Sequence, residues 1–133
     1  MPDAPKDTAA IKDYHAHVYY DRSSKERAAQ LRQWVEDRFA GRMRMGSWHD
    51  EPVGPHVQAM YQIAFPPELF PTLVPFLMLN RMGLAVLVHP QSGRPRDDHT
   101  LNAMRILRKP FQFTQMLAEV NWCLRRGPLN EAA

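Results

Sequence analysis

The segment Tyr14-His15-Ala16-His17-Val18-Tyr19-Tyr20 constrains the fold more than any other part of the chain. Side chains alternate between the two faces of a strand, so Tyr14, Ala16, Val18 and Tyr20 must share one face, and His15, His17 and Tyr19 the other. The first set is apolar enough for a core. The second carries two imidazoles side by side, which is half of a metal site or an acid–base pair. A strand of this kind belongs in a sheet covered on one side. Further histidines stand beside turns or at element ends, in Gly54-Pro55-His56, Val88-His89-Pro90 and Asp97-Asp98-His99-Thr100. His49, next to Trp48, reads as ordinary surface.

The surrounding pattern supplies partners for that strand. Asp13–Tyr20 reads as the first strand. Ser23 or Ser24 is a plausible N-cap for a helix that runs to about Ala40, with Ala28, Leu31, Trp34, Val35 and Phe39 at three- and four-residue spacing and Gly41 as its stop. Arg42–Trp48 reads as a second strand. Val57–Phe65 is a third, with Val57, Ala59, Tyr61, Ile63 and Phe65 on one face and Gln58, Met60 and Gln62 on the other. Pro66-Pro67 opens a second helix from Glu68, which must accommodate Pro71 and Pro75 and ends near Met82-Gly83. Leu84–His89 is a compact fourth strand, Pro90–Pro95 a loop, Leu101–Leu107 a helical turn, and Thr114–Arg126 a last amphipathic helix.

The order β-α-β-β-α-β is that of an α+β, ferredoxin-like sandwich: a four-stranded antiparallel sheet with two helices on one face, here followed by a C-terminal extension. Residues 1–11 read as a flexible tail, 12–126 as one domain and 127–133 as a second tail. This topology places strand one between strands three and four. Strands one and four then run antiparallel, and parity brings His89 beside His15 and His17 on the face away from the helices. That face also carries Met60, Leu87 and Tyr19, and it needs a cover, either the C-terminal extension or a second subunit. A homodimer is the expectation.

Composition excludes several function classes. The 133 residues carry a net charge of only +3, with no basic–aromatic stripe for nucleic acid. The run Leu69–Leu79 is broken by two prolines and is too short to span a bilayer. No basic-then-apolar leader precedes the first strand, and the lone Cys123 precludes an internal disulfide, so a cytoplasmic protein is expected.

Three neutral imidazoles are a competent donor set for zinc or Fe(II). Asp13, Asp97 and Asp98 are candidate carboxylate ligands, although Asp97 and Asp98 also suit a helix cap. His56 and His99 could bind or protonate a substrate, and Arg42, Arg44 or Arg94 could hold a substrate carboxylate. The histidines could equally line a solvated sheet face.

The segments Tyr14–Tyr20, Gly54-Pro55-His56-Val57, Met60–Phe65, Leu87-Val88-His89-Pro90-Gln91-Ser92-Gly93 and Asp97-Asp98-His99-Thr100, in this order, resemble the DOPA 4,5-dioxygenase family. The resemblance spans roughly residues 12 to 110. These are small ring-cleaving enzymes, and the resemblance implies a ferredoxin-like fold and extradiol opening of a catechol such as DOPA with O₂ at non-haem Fe(II), with zinc a possible substitute metal. It makes His15, His17, His56, His89 and His99 the motif histidines. Geometry selects His15, His17 and His89 as metal ligands, which leaves His56 and His99 as substrate or acid–base residues. Two rival readings use the same residues: a non-enzymatic dimeric ligand-binding module, and a zinc-dependent hydrolase.

Overall fold

The computed structural model describes residues 4–52 and 58–93, and the backbone of residues 104–106. Seven elements follow in order: β1 (Asp13–Tyr20), α1 (Lys25–Phe39), β2 (Arg44–Met45), β3 (Ala59–Phe65), α2 (Phe70–Asn80), β4 (Val86–Gln91) and β5 (Met104–Ile106). The sheet order is β2-β3-β1-β4-β5, antiparallel at every contact. The first four strands and two helices form the ferredoxin-like arrangement, with β1 and β3 at its centre. β5 adds a fifth strand beside β4. Residues 104–106 therefore extend the sheet, where the sequence reads as a helical turn. Met104 and Ile106 pair with Val88 and Val86 across this edge.

The helix-covered face is one continuous core. Ala16, Val18 and Tyr20 of β1, Tyr61, Ile63 and Phe65 of β3, and Val86 and Val88 of β4 pack with Ala28, Leu31, Val35 and Phe39 of α1 and Leu73, Val74 and Leu77 of α2. The spacing of the α1 residues (three, four, four) places them on one stripe, which is why this segment forms a helix against the sheet. Tyr61 is fully buried, and its O–H donates to the Ala28 carbonyl at 2.8 Å, tying β3 to α1.

Local chemistry sets the boundaries. Before α1, Asp21 Oδ1 accepts from the Ser23 hydroxyl at 2.6 Å and from Ser24 N–H at 3.0 Å, while Asp21 N–H donates to Ser24 Oγ at 2.9 Å. Ser24 occupies the N-cap position, but its hydroxyl serves this turn and not the helix N–H groups. The hydrogen bonds from Ser23 and Ser24 also hold the Asp21 carboxyl below the usual range.

β2 is shorter than the expected Arg42–Trp48. At Gly46 the chain runs so close to β3 that an added Cβ would lie 3.1 Å from the Gln62 carbonyl oxygen, and Gly46 N–H donates to that oxygen at 2.7 Å. Pairing then resumes as a single bridge between His49 and Met60. α2 follows a 3-10 turn at Pro67–Leu69. It holds Pro71 in its first turn and Pro75 in its interior. Pro75 lies on the solvent face, where the carbonyl it leaves can take water. Met82 (φ 50°) and Gly83 (φ 81°) turn the chain back into the sheet.

β4 runs to Gln91, two residues past the expected end at His89. Pro90 does not stop it because β5 covers only Val86–Val88, so at Pro90 the strand is an edge among the described residues, where a residue lacking an N–H is tolerated. No helix among the described residues is long and apolar enough to cross a membrane.

Candidate metal centre

The strands place three histidines by register alone. His15 of β1 lies directly opposite His89 of β4, and His17 lies opposite Leu87, so His89 is diagonal to His17 on the same face. The rings meet in a triangle, with centroids 5.0 Å apart for His17–His89, 5.2 Å for His15–His89 and 6.1 Å for His15–His17. His17 and His89 are buried at 1% and 0% exposure, and His15 is half-buried. Tyr19, Met60 and Leu87 form a small apolar cluster beside them on this face. Tyr19 stacks on His17 with centroids 6.5 Å apart.

The hydrogen bonds assign ring protons. The Pro90 carbonyl can only accept, so its 3.1 Å contact places the proton of His89 on Nδ1, which donates to it. His89 Nε2 then carries a lone pair, and His17 Nε2 lies 2.8 Å from it as the donor. Gln91, on the same face of β4, brings its amide nitrogen to 2.9 Å from His15 Nδ1 and 3.3 Å from Nε2.

One donor atom from each of His15, His17 and His89 falls within 4.8 Å of the others, so the three could hold a metal ion. The donor chemistry fits. Imidazole nitrogens sit about 2.0–2.1 Å from a first-row metal, so two of them at right angles would be about 3 Å apart. The His17–His89 Nε2 atoms are 2.8 Å apart, so an ion bound by both would displace the proton they share.

The other candidates fall differently. His56, Arg94, Asp97, Asp98 and His99 lie outside the described residues. Asp13 shares the imidazole face but is not part of the cluster; its carboxylate accepts from Arg44 Nη2 at 3.5 Å. Arg42 and Arg44 line an open groove of about 270 Å³ with Asp13 and Ala64, and Ala64 is the residue opposite His15 on β3. His49 contributes a backbone bridge to β3. Sequence reasoning missed Gln91 because Pro90 reads as a strand breaker. The signal was the parity itself, since His89 and Gln91 continue the two-residue alternation.

The Dopa 4,5-dioxygenase family matches residues 14–113, three quarters of the chain and every described element from β1 to β5. The chain belongs to this family. It is 34% identical over 110 residues to an uncharacterised 21.2 kDa protein of Botryotinia fuckeliana and 30% identical over 98 residues to the DOPA 4,5-dioxygenase of Amanita muscaria. These alignments cover 75% and 68% of this chain, and 60% and 43% of those relatives' own length. A crystal structure of a candidate dioxygenase from Nostoc punctiforme shares the fold at a TM-score of 0.75 and 40% identity, over 87% of this chain and 99% of that one. The family match includes all three clustered histidines and extends over the positions of His56 and His99.

Proposed function

We propose that this chain is an extradiol dioxygenase that opens a catechol, such as DOPA, with O₂ at an Fe(II) ion held by His15, His17 and His89. The convergence of three imidazoles on one sheet face, in a chain of this family, carries the reading. When bound, Fe(II) would supply Lewis acidity toward the diol and an electron route to O₂.

The chain's own residues would do the rest. The register of β1 against β4 fixes the three rings in place without relying on loop residues. Tyr19, Met60 and Leu87 give the site an apolar flank that limits water, which strengthens charge interactions with a deprotonating diol. His56 and His99 are proposed, on the family motif, as the groups that orient the substrate and carry the phenolic proton. Arg42 and Arg44 line a groove with Ala64, the residue opposite His15, and are proposed as contacts for a substrate carboxylate.

Three histidines also make a zinc set, so the test must read oxygen. Protein loaded with Fe(II) under anaerobic conditions and mixed with a panel of catechols should consume O₂ and yield a yellow ring-opened product. Absence of O₂ uptake with every catechol, DOPA included, would rule out the dioxygenase reading.

A further inference from the structure

Among the described residues, the Gln91 amide reaches His15 from the C-terminal end of β4. Gln91 lies directly opposite Asp13 in the β1–β4 register, two residues beyond His89 and on its face, which makes it diagonal to His15. Its Nε2 is 2.9 Å from His15 Nδ1. Gln91 is partly buried.

We propose that Gln91 is a positioning residue that selects the tautomer and ring orientation of His15, and so prepares that imidazole to bind an ion. The proposal rests on the metal reading of the three-histidine cluster.

The chemistry follows from what an amide can offer. As placed, the amide nitrogen faces both ring nitrogens of His15, 2.9 Å from Nδ1 and 3.3 Å from Nε2, and donates to whichever carries the lone pair. A half-turn about the last torsion of Gln91 exchanges its nitrogen and oxygen with almost no change of shape. Oε1 would then accept from Nδ1–H, which leaves the lone pair of His15 on Nε2 for an ion. Ligating imidazoles generally donate their second ring N–H to an acceptor of this kind, which fixes the ring and raises its basicity. His89 already has that arrangement through its bond to the Pro90 carbonyl. Glutamine serves both states of His15, glutamate serves only the second, and methionine serves neither.

The experiment uses the full-length protein with Co(II) as the probe, comparing wild type with Q91A, Q91M and Q91E. Affinity is read by chelator competition, and the His15 tautomer in metal-free protein by ¹⁵N NMR of the ring nitrogens. Q91A and Q91M should bind Co(II) about 10–100-fold more weakly at unchanged stoichiometry. Q91E should bind at least as tightly as wild type. Metal-free wild type should show one dominant His15 tautomer, and Q91M a mixture. Wild-type affinity in both Q91A and Q91M, or a loss in Q91E as large as in Q91M, would overturn the role of Gln91. If wild type binds no Co(II), the metal reading fails, and the tautomer comparison still decides whether Gln91 sets His15: identical populations in wild type and Q91M refute it.

Discussion

Tyr61→Phe separates the two faces of the sheet in a single substitution. The Tyr61 ring is fully buried between β3 and α1, and its hydroxyl donates to the Ala28 carbonyl at 2.8 Å. Removing the hydroxyl deletes that hydrogen bond and leaves a void of one oxygen atom. Ala28 lies in the body of α1, so its carbonyl keeps its helical partner and no buried acceptor is orphaned. The expected cost is therefore that of one ordinary hydrogen bond, about 1 kcal/mol, and not the larger penalty for a stranded polar group. In a chain of this size that lowers Tm by about 4 °C. Urea denaturation should show a lower midpoint at unchanged slope, since the buried surface is the same. Burial also pushes the Tyr61 hydroxyl well above the usual phenol range, so it stays protonated and the loss should not vary across neutral and mildly alkaline pH. Tyr61 points away from the imidazoles, so metal binding should be unchanged. A stability change below ~0.3 kcal/mol or above ~3 kcal/mol, or altered metal affinity, would refute this assignment of the hydrogen bond and the faces.

Three further outcomes are expected. Tyr20 O–H donates to Asp50 Oδ1 at 2.6 Å, and this bond, ahead of Lys25, holds the Asp50 carboxyl below its usual range. A depressed carboxyl contributes stability above its unfolded pKa that is lost as pH falls through the folded value, so Tyr20→Phe should be less stable than wild type at neutral pH, with the gap narrowing in acid; equal gaps in urea titrations at neutral and strongly acidic pH would contradict this. Gly46→Ala places a Cβ 3.1 Å from the Gln62 carbonyl oxygen and should destabilise by roughly 1 kcal/mol or more, measured by thermal unfolding. A divalent metal at one hundred times its Kd should raise stability by about 2.7 kcal/mol, reversed by a chelator and absent in His17→Ala.

The architecture was legible because periodicity carried it. Alternation in Tyr14–Tyr20 and Ala59–Phe65, and the α1 stripe Ala28–Leu31–Val35, each had one packing solution. Once the strand order was assumed, the meeting of His15, His17 and His89 followed from parity, since opposite residues share a face. What was not legible depended on neighbours. Pro90 is a breaker in isolation and becomes tolerable only because its strand is an edge there. The early end of β2 follows from the approach of Gly46 to Gln62, which belongs to a strand far along the chain. The strand at Met104–Ile106 is too short to show a period and exists because β4 offers it an edge. The Gln91 contact was hidden behind the reading of Pro90.

Anaerobic titration of the metal-free protein with Fe(II), with bound ion counted per chain, tests the central claim most directly. One ion per chain, lost or strongly weakened in each of His15→Ala, His17→Ala and His89→Ala while the fold persists, is the expected result. Undiminished Fe(II) binding in those three variants, or no binding by the wild-type chain, would contradict a metal centre built on these imidazoles.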